Sequence, residues 1–126
     1  MGLRILVAED EFITGVDLCD TFKEAGYEVE GPYAGISSAI LACQKHKPDL
    51  AILDIELTDG LTYELAQTLI DDDVPVILHF EHDEMRELAA RFPRALTVHK
   101  PCPPADLLNA VNRLIAPLPR PPCPVT

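Results

Sequence analysis

Basic residues are scarce in this chain. Lysine and arginine number 10 against 21 aspartates and glutamates, giving a formal net charge of −11 over 126 residues. Affinity for a phosphate backbone comes mainly from Lys and Arg, so this balance argues against a nucleic-acid partner. It suits a basic protein partner or a bound cation. No apolar run approaches the roughly 20 residues that span a bilayer, so no membrane association is expected. Met1-Gly2-Leu3-Arg4 leads straight into an apolar strand, without the charged leader and apolar segment of a signal peptide. None of the cysteines, Cys19, Cys43, Cys102 and Cys123, stands in a C-x-x-C spacing, which removes a zinc ribbon and a thioredoxin motif. Cys19 and Cys43 fall at apolar helix positions and read as buried thiols of a cytoplasmic protein in a reducing compartment. An apolar content of 48% excludes a disordered chain, and the length suffices for one core.

What the chain has is a regular alternation of short apolar runs and helical stripes. Residues 3–8 read as a strand, and residues 11–25 as an amphipathic helix carrying Phe12, Val16, Cys19 and Phe22, stopped by Gly26. Tyr27 to Glu30 alternates apolar and charged residues, the mark of an edge strand, which Gly31-Pro32 ends. Ile36, Ala39, Ile40 and Cys43 mark a second helix closing before Pro48, and residues 49–53 a fully apolar strand. Asp59-Gly60 is a turn, Leu61, Leu65 and Leu69 with Ala66 mark a third helix, and Asp71-Asp72-Asp73 is a charged loop. Residues 74–80 form another buried strand. Asp83 caps a short fourth helix with Met85, Leu88, Ala89 and Phe92, halted by Pro93. Residues 95–99 form the fifth strand, and Pro103-Pro104 opens a last helix with Leu107, Leu108, Val111, Leu114 and Ile115.

Five β/α units with right-handed crossovers predict an α/β fold: a flavodoxin-like (βα)5 doubly wound parallel sheet of strand order 2-1-3-4-5. The amphipathic second strand belongs at the edge, and the wholly apolar first and third belong inside. One domain is expected over residues 1–116. Residues 117–126 hold five of the twelve prolines and form a Pro-rich tail expected to be disordered.

In such a sheet all strands point one way, so residues just past their ends gather in one crevice. Glu9 and Asp10 follow the first strand, Asp54 the third, and Lys100 the fifth. Two carboxylates about 4 Å apart repel by some 4 kcal/mol at an effective dielectric near 20, so the cluster needs a cation or a proton. Lys100 supplies one charge, and Mg2+, which favours oxygen ligands and keeps exchangeable waters, supplies the rest. A carboxylate in that position can act as a nucleophile towards phosphorus, with metal and lysine stabilising the charge.

Residues 5–11 (Ile-Leu-Val-Ala-Glu-Asp-Glu), residues 48–60 around Leu53-Asp54, Val74-Pro75-Val76-Ile77, and Lys100-Pro101 before the last helix together resemble the receiver domain of bacterial two-component response regulators, over residues 3–116. The resemblance implies that Asp54 is the phosphoacceptor. It implies that Glu9, Asp10, Asp54 and the backbone carbonyl of Glu56 hold Mg2+, that Lys100 pairs with the phosphate, and that Lys100-Pro101 is a cis peptide. The partners it implies are a histidine kinase or phosphotransfer protein as donor and a downstream protein target, with a homodimer compatible. With no output domain expected after residue 116, the signal leaves by contact or onward transfer. The activity is not that of an enzyme beyond the chain's own phosphorylation and dephosphorylation.

Two positions depart from the family. Receivers usually carry Thr or Ser at the end of the fourth strand and an aromatic on the fifth; here these switch positions are Phe80 and Thr97. No Ser, Thr or Tyr occurs between Thr68 and Thr97, so no shift of register restores the hydroxyl. One reading keeps phosphorylation and makes Phe80 the moving aromatic. The alternative is a phosphorylation-independent pseudo-receiver, a protein-binding module. Glu56 adds negative charge beside the acceptor. His79, His82, His99 and Cys102 lie near strand ends but match no metal-ligand spacing. Asp54-Ile55-Glu56-Leu57-Thr58 resembles the D-x-D-x-T motif of haloacid-dehalogenase-like phosphatases, but its second acid is a Glu and it follows the third strand. A flavin-binding flavodoxin is disfavoured, because the strand-end loops lack a Ser/Thr run for phosphate.

Overall fold

The computed structural model describes residues 3–81, 86–87 and 90–115. Strand β1 (Arg4–Ala8) is followed by helix α1 (Phe12–Glu24), β2 (Glu28–Tyr33), α2 (Ile36–Lys45) and β3 (Leu50–Asp54). Two short strands, β4 (Glu56–Leu57) and β5 (Gly60–Leu61), precede α3 (Tyr63–Asp71). Then come β6 (Val76–Phe80), β7 (Leu96–His99) and α4 (Pro104–Ile115). The main sheet is parallel, in the order β2-β1-β3-β6-β7. This is the expected 2-1-3-4-5 arrangement of a flavodoxin-like fold, with the half-exposed β2 at one edge.

β1, β3 and β6 are buried on both faces, and successive residues feed two separate cores. Leu6, Ala8, Ala51, Leu53, Leu78 and Phe80 pack against α2 and α3. Ile5, Val7, Leu50, Ile52 and Ile77 pack against α1 and α4.

Several sequence expectations are corrected. The stripe of α1 that faces the sheet is Gly15, Leu18, Cys19 and Phe22; Phe12 is 74% exposed and Val16 only half-buried. Glycine is required at 15 because a Cβ there would lie 2.7 Å from Pro32. β2 does not stop at Gly31-Pro32. It runs on to Tyr33 through an irregularity opposite Leu6 and Ala8, which Gly31 absorbs at a φ of 126°. Leu61 belongs to the antiparallel β4–β5 hairpin, not to the third helix, which begins at Tyr63. Cys19 is buried, but Cys43 is only half-buried. Of the expected fourth helix, Arg86 and Glu87 are helical and Phe92 is buried. Its Asp83, Met85, Leu88 and Ala89 lie outside the described residues, as do His82, Cys123 and the tail 117–126. Among the described residues no helix is long and apolar enough to cross a membrane.

Candidate functional site

Three strand ends build the site. β1 delivers Glu9, whose N–H donates to the Tyr33 carbonyl at 2.9 Å and whose carboxylate is buried. Asp10 follows it at the surface. β3 ends on Asp54, buried, and the ladder to β6 continues one residue further as the Ile55 N–H donates to the His79 carbonyl at 3.0 Å. Past β7, the Lys100 N–H donates to the Phe80 carbonyl at 2.7 Å, and its side chain reaches across β6. The Lys100 Nζ donates to Asp54 Oδ2 at 2.9 Å and to Glu9 Oε2 at 3.2 Å. The Lys100–Pro101 peptide is cis. Carboxylate oxygens of Glu9, Asp10 and Asp54 lie within 4.8 Å of one another.

The electrostatics are those of a site short of positive charge. Burial, opposed by the Lys100 hydrogen bond and reinforced by the Glu9 charge, pushes the Asp54 carboxyl up to about 7. Burial alone lowers the Lys100 pKa, but its hydrogen bond to Asp54 and the charges of Asp54 and Glu9 outweigh this, and the net shift is upwards. With all three acids ionised, one ammonium leaves the cluster two charges negative. Either a proton stays on Asp54 or a divalent cation enters. An all-oxygen donor set with room for waters on the exposed Asp10 side fits Mg2+ or a similarly hard ion.

The remaining site residues fall around this cluster. Glu56 stands two residues past Asp54 in β4, its side chain exposed. Phe80 points to the opposite core from Asp54, is buried there, and meets His99 edge-on at a centroid distance of 4.9 Å. Thr97 is exposed and pairs in register with Leu78, so the ring against Phe80 is His99 and not residue 97. His79 is the register partner of Asp54, is buried, and has an Nε2 without a hydrogen-bond partner. Burial, then the Lys100 and His99 charges, hold the His79 pKa down at about 4, so its imidazole is neutral at physiological pH. With Lys100, Glu11, Thr14 and Cys102 it lines a cavity of about 330 Å³. Among the described residues, Glu9, Asp10 and Asp54 come close enough together that they could hold a metal ion, whereas His79, His99 and Cys102 do not. A cavity of about 410 Å³ between α2 and α3 lies at the other end of the sheet.

Sequence reasoning missed Thr62. It is fully buried, and its hydroxyl donates to the Asp54 carbonyl at 3.0 Å and the Ile55 carbonyl at 3.2 Å. Nothing in the sequence marks it as a partner of Asp54, because the helical stripe begins at Leu61 and takes Thr62 into the third helix.

No family model matches the chain. It is 31% identical over 117 residues to the transcriptional regulatory protein PdtaR of Mycobacterium tuberculosis, covering 90% of this chain and 57% of that protein. It is 31% identical over 81 residues to the polar-differentiation response regulator DivK of Brucella anthropi, covering 61% of this chain and 65% of that one. The solution structure of the PhyR response-regulator REC domain of Erythrobacter litoralis superposes with a TM-score of 0.79 at 25% identity, covering 98% of this chain and 97% of that one. The chain belongs to the response-regulator receiver family. It spans less than two thirds of the length of the curated relatives it matches. It carries an acidic cluster, buried at Glu9 and Asp54 and exposed at Asp10, with an adjoining lysine, and has Phe80 and a neutral His79 at the end of β6.

Proposed function

We propose that this receiver accepts a phosphoryl group on Asp54, from the phosphohistidine of a histidine kinase or phosphotransfer protein, and relays the signal to a downstream protein in the cytoplasm. The observation that carries the reading is the contact of the Lys100 Nζ with both Asp54 and Glu9, inside a carboxylate cluster that needs a further cation. Glu9, Asp10, Asp54 and the Glu56 carbonyl would hold Mg2+. When bound, the ion screens the charge of an incoming phosphoryl group.

The chain's own residues do the rest. An Asp54 carboxylate oxygen attacks phosphorus in line, the P–N bond breaks with its electrons returning to the donor imidazole, and an acyl phosphate remains on Asp54. Lys100, held at the site by two carboxylates, pairs with a phosphoryl oxygen as charge accumulates there.

Incubation with acetyl phosphate and Mg2+, followed by intact-mass measurement, tests this. One phosphoryl mass gained by the wild type and none by Asp54→Ala supports it. No gain in the wild type removes it and favours a phosphorylation-independent binding module, a second reading that rests on Phe80, whose buried ring offers no hydroxyl to a phosphate.

A further inference from the structure

Thr62 occupies the N-cap position of α3, where a threonine hydroxyl ordinarily accepts a hydrogen bond from an N–H of the first helical turn. It makes no such bond. The helix keeps only the backbone link, with the Ala66 N–H donating to the Thr62 carbonyl at 2.9 Å. The hydroxyl turns back instead, sharing its proton between the carbonyls of Asp54 and Ile55 at 3.0 and 3.2 Å. The Thr62 N–H adds a bond to the Ile55 carbonyl at 2.9 Å. Those two carbonyls belong to the two peptide units that carry the chain from Asp54 to Glu56.

The rest of the loop is tied down separately. Glu56 pairs with Leu61 and Leu57 with Gly60. The Thr58 N–H and hydroxyl both donate to the Ala34 carbonyl, at 3.0 and 2.9 Å. The Asp59 carboxylate accepts from the Ile36 N–H at 2.6 Å and the Ser37 N–H at 3.3 Å. The tip of the loop is thus braced against the start of α2, and the Asp54 side is held by the Ile55 N–H bond to the His79 carbonyl at 3.0 Å and by Thr62. A hydroxyl withdrawn from capping and committed to the acceptor's own carbonyl, with no exposure to water, is a group that orients backbone.

We propose that Thr62 is a positioning residue: its hydroxyl fixes the two peptide planes between Asp54 and Glu56 and so sets the affinity of the acidic site for its divalent cation. This rests on reading that site as the Mg2+-dependent phosphoacceptor. Groups one step removed from a metal commonly govern affinity in this way.

The test compares wild type, Thr62→Val, Thr62→Ala and Thr62→Ser in the 126-residue chain. Mg2+ affinity is measured by calorimetry, amide exchange of residues 55–57 in chelator by mass spectrometry, and Tm by circular dichroism. The hydroxyl-free variants should bind Mg2+ about tenfold more weakly or worse, and exchange those amides faster, while Thr62→Ser stays within about twofold of wild type. If valine or alanine lowers Tm but leaves Mg2+ affinity and exchange unchanged, Thr62 merely supports α3 and the inference is overturned. A variant that fails to fold leaves the decision to the other and to serine. If serine too has lost Mg2+ affinity, the hydroxyl is not the determinant and the inference is overturned. A wild type that takes up Mg2+ but gains no phosphoryl mass removes the phosphoacceptor reading, and Thr62 is still decided by affinity and exchange. A wild type that takes up no Mg2+ overturns both.

Discussion

Replacing Asp54 by asparagine should make the metal-free protein more stable, and increasingly so as pH rises towards neutrality. The carboxyl is pushed up to about 7 in the folded protein, first by burial and then by Glu9, against the pull of Lys100. In the unfolded chain an aspartate ionises near 3.9. Between those values the native state holds a proton that the unfolded state has released, so stability falls with rising pH across that window and levels off above about 7. Each pH unit in the window corresponds to about 1.4 kcal/mol as an upper bound. Relaxation of Lys100 towards Glu9 reduces this, so about 2 kcal/mol between pH 5 and pH 7 is the working figure. Asparagine keeps the shape and loses the titration. The assay is the Tm of both proteins in chelator at pH 5, 6, 7 and 8. The gap in favour of the variant should widen by about 8 °C from pH 5 to pH 7 and then stay level, at about 4 °C per kcal/mol for a domain of this size. Adding Mg2+ should close much of the gap at pH 8 by stabilising only the wild type, since the cation takes the place of the proton. Parallel Tm profiles in chelator would refute the reasoning, because Asp54 would then not be a carboxyl crowded by Glu9 in a buried site.

Three further outcomes follow from the same geometry. Lys100→Ala removes the ammonium that bonds both Glu9 and Asp54, and phosphorylation by acetyl phosphate followed by intact mass should slow by about a hundredfold. Phe80→Ala empties a buried position and should lower unfolding free energy in urea by about 3–5 kcal/mol, yet leave phosphoryl uptake on Asp54 intact, because the ring lies in the other core. Glu56→Asn removes an exposed negative charge two residues from the acceptor; phosphate loss from Asp54 should accelerate, timed by intact mass after removal of the donor, and an unchanged half-life would make Glu56 a bystander.

The sheet was legible because its strands are either wholly apolar or plainly alternating, and strand order follows from that contrast with few alternatives. Glu9, Asp54 and Lys100 were legible for a related reason: charged residues at the ends of apolar runs must converge when all runs point one way. What escaped depended on close approach rather than on pattern. Phe12 satisfies a helical stripe but sits before the helix has come under the sheet, while Gly15, which no hydrophobic pattern highlights, faces Pro32 at a distance only a glycine tolerates. Gly31-Pro32 has the composition of a strand end, yet the strand continues because glycine reaches a φ that lets the chain step past Val7. Thr62 has the composition of a cap and does something else, because a hydroxyl proton goes to the nearest carbonyl and folding placed two of them there.

Side-chain alternation along β6 gives the site its character. Residue 79 shares a face with Asp54, and residue 80 shares the other with His99. The imidazole beside Asp54 could in principle have offset a carboxylate, but burial and Lys100 keep it neutral, so it adds no positive charge. The aromatic on the far side adds neither charge nor hydroxyl. Among the described residues Lys100 is the one basic side chain paired with the acidic cluster, and it is already divided between Glu9 and Asp54. A phosphoryl group arriving on Asp54 brings more negative charge to a cluster whose ammonium is already committed to two carboxylates. Under the proposed function, a cation from solution would offset that charge, and divalent-ion affinity, rather than any side chain on β6, would then govern phosphoryl uptake on Asp54.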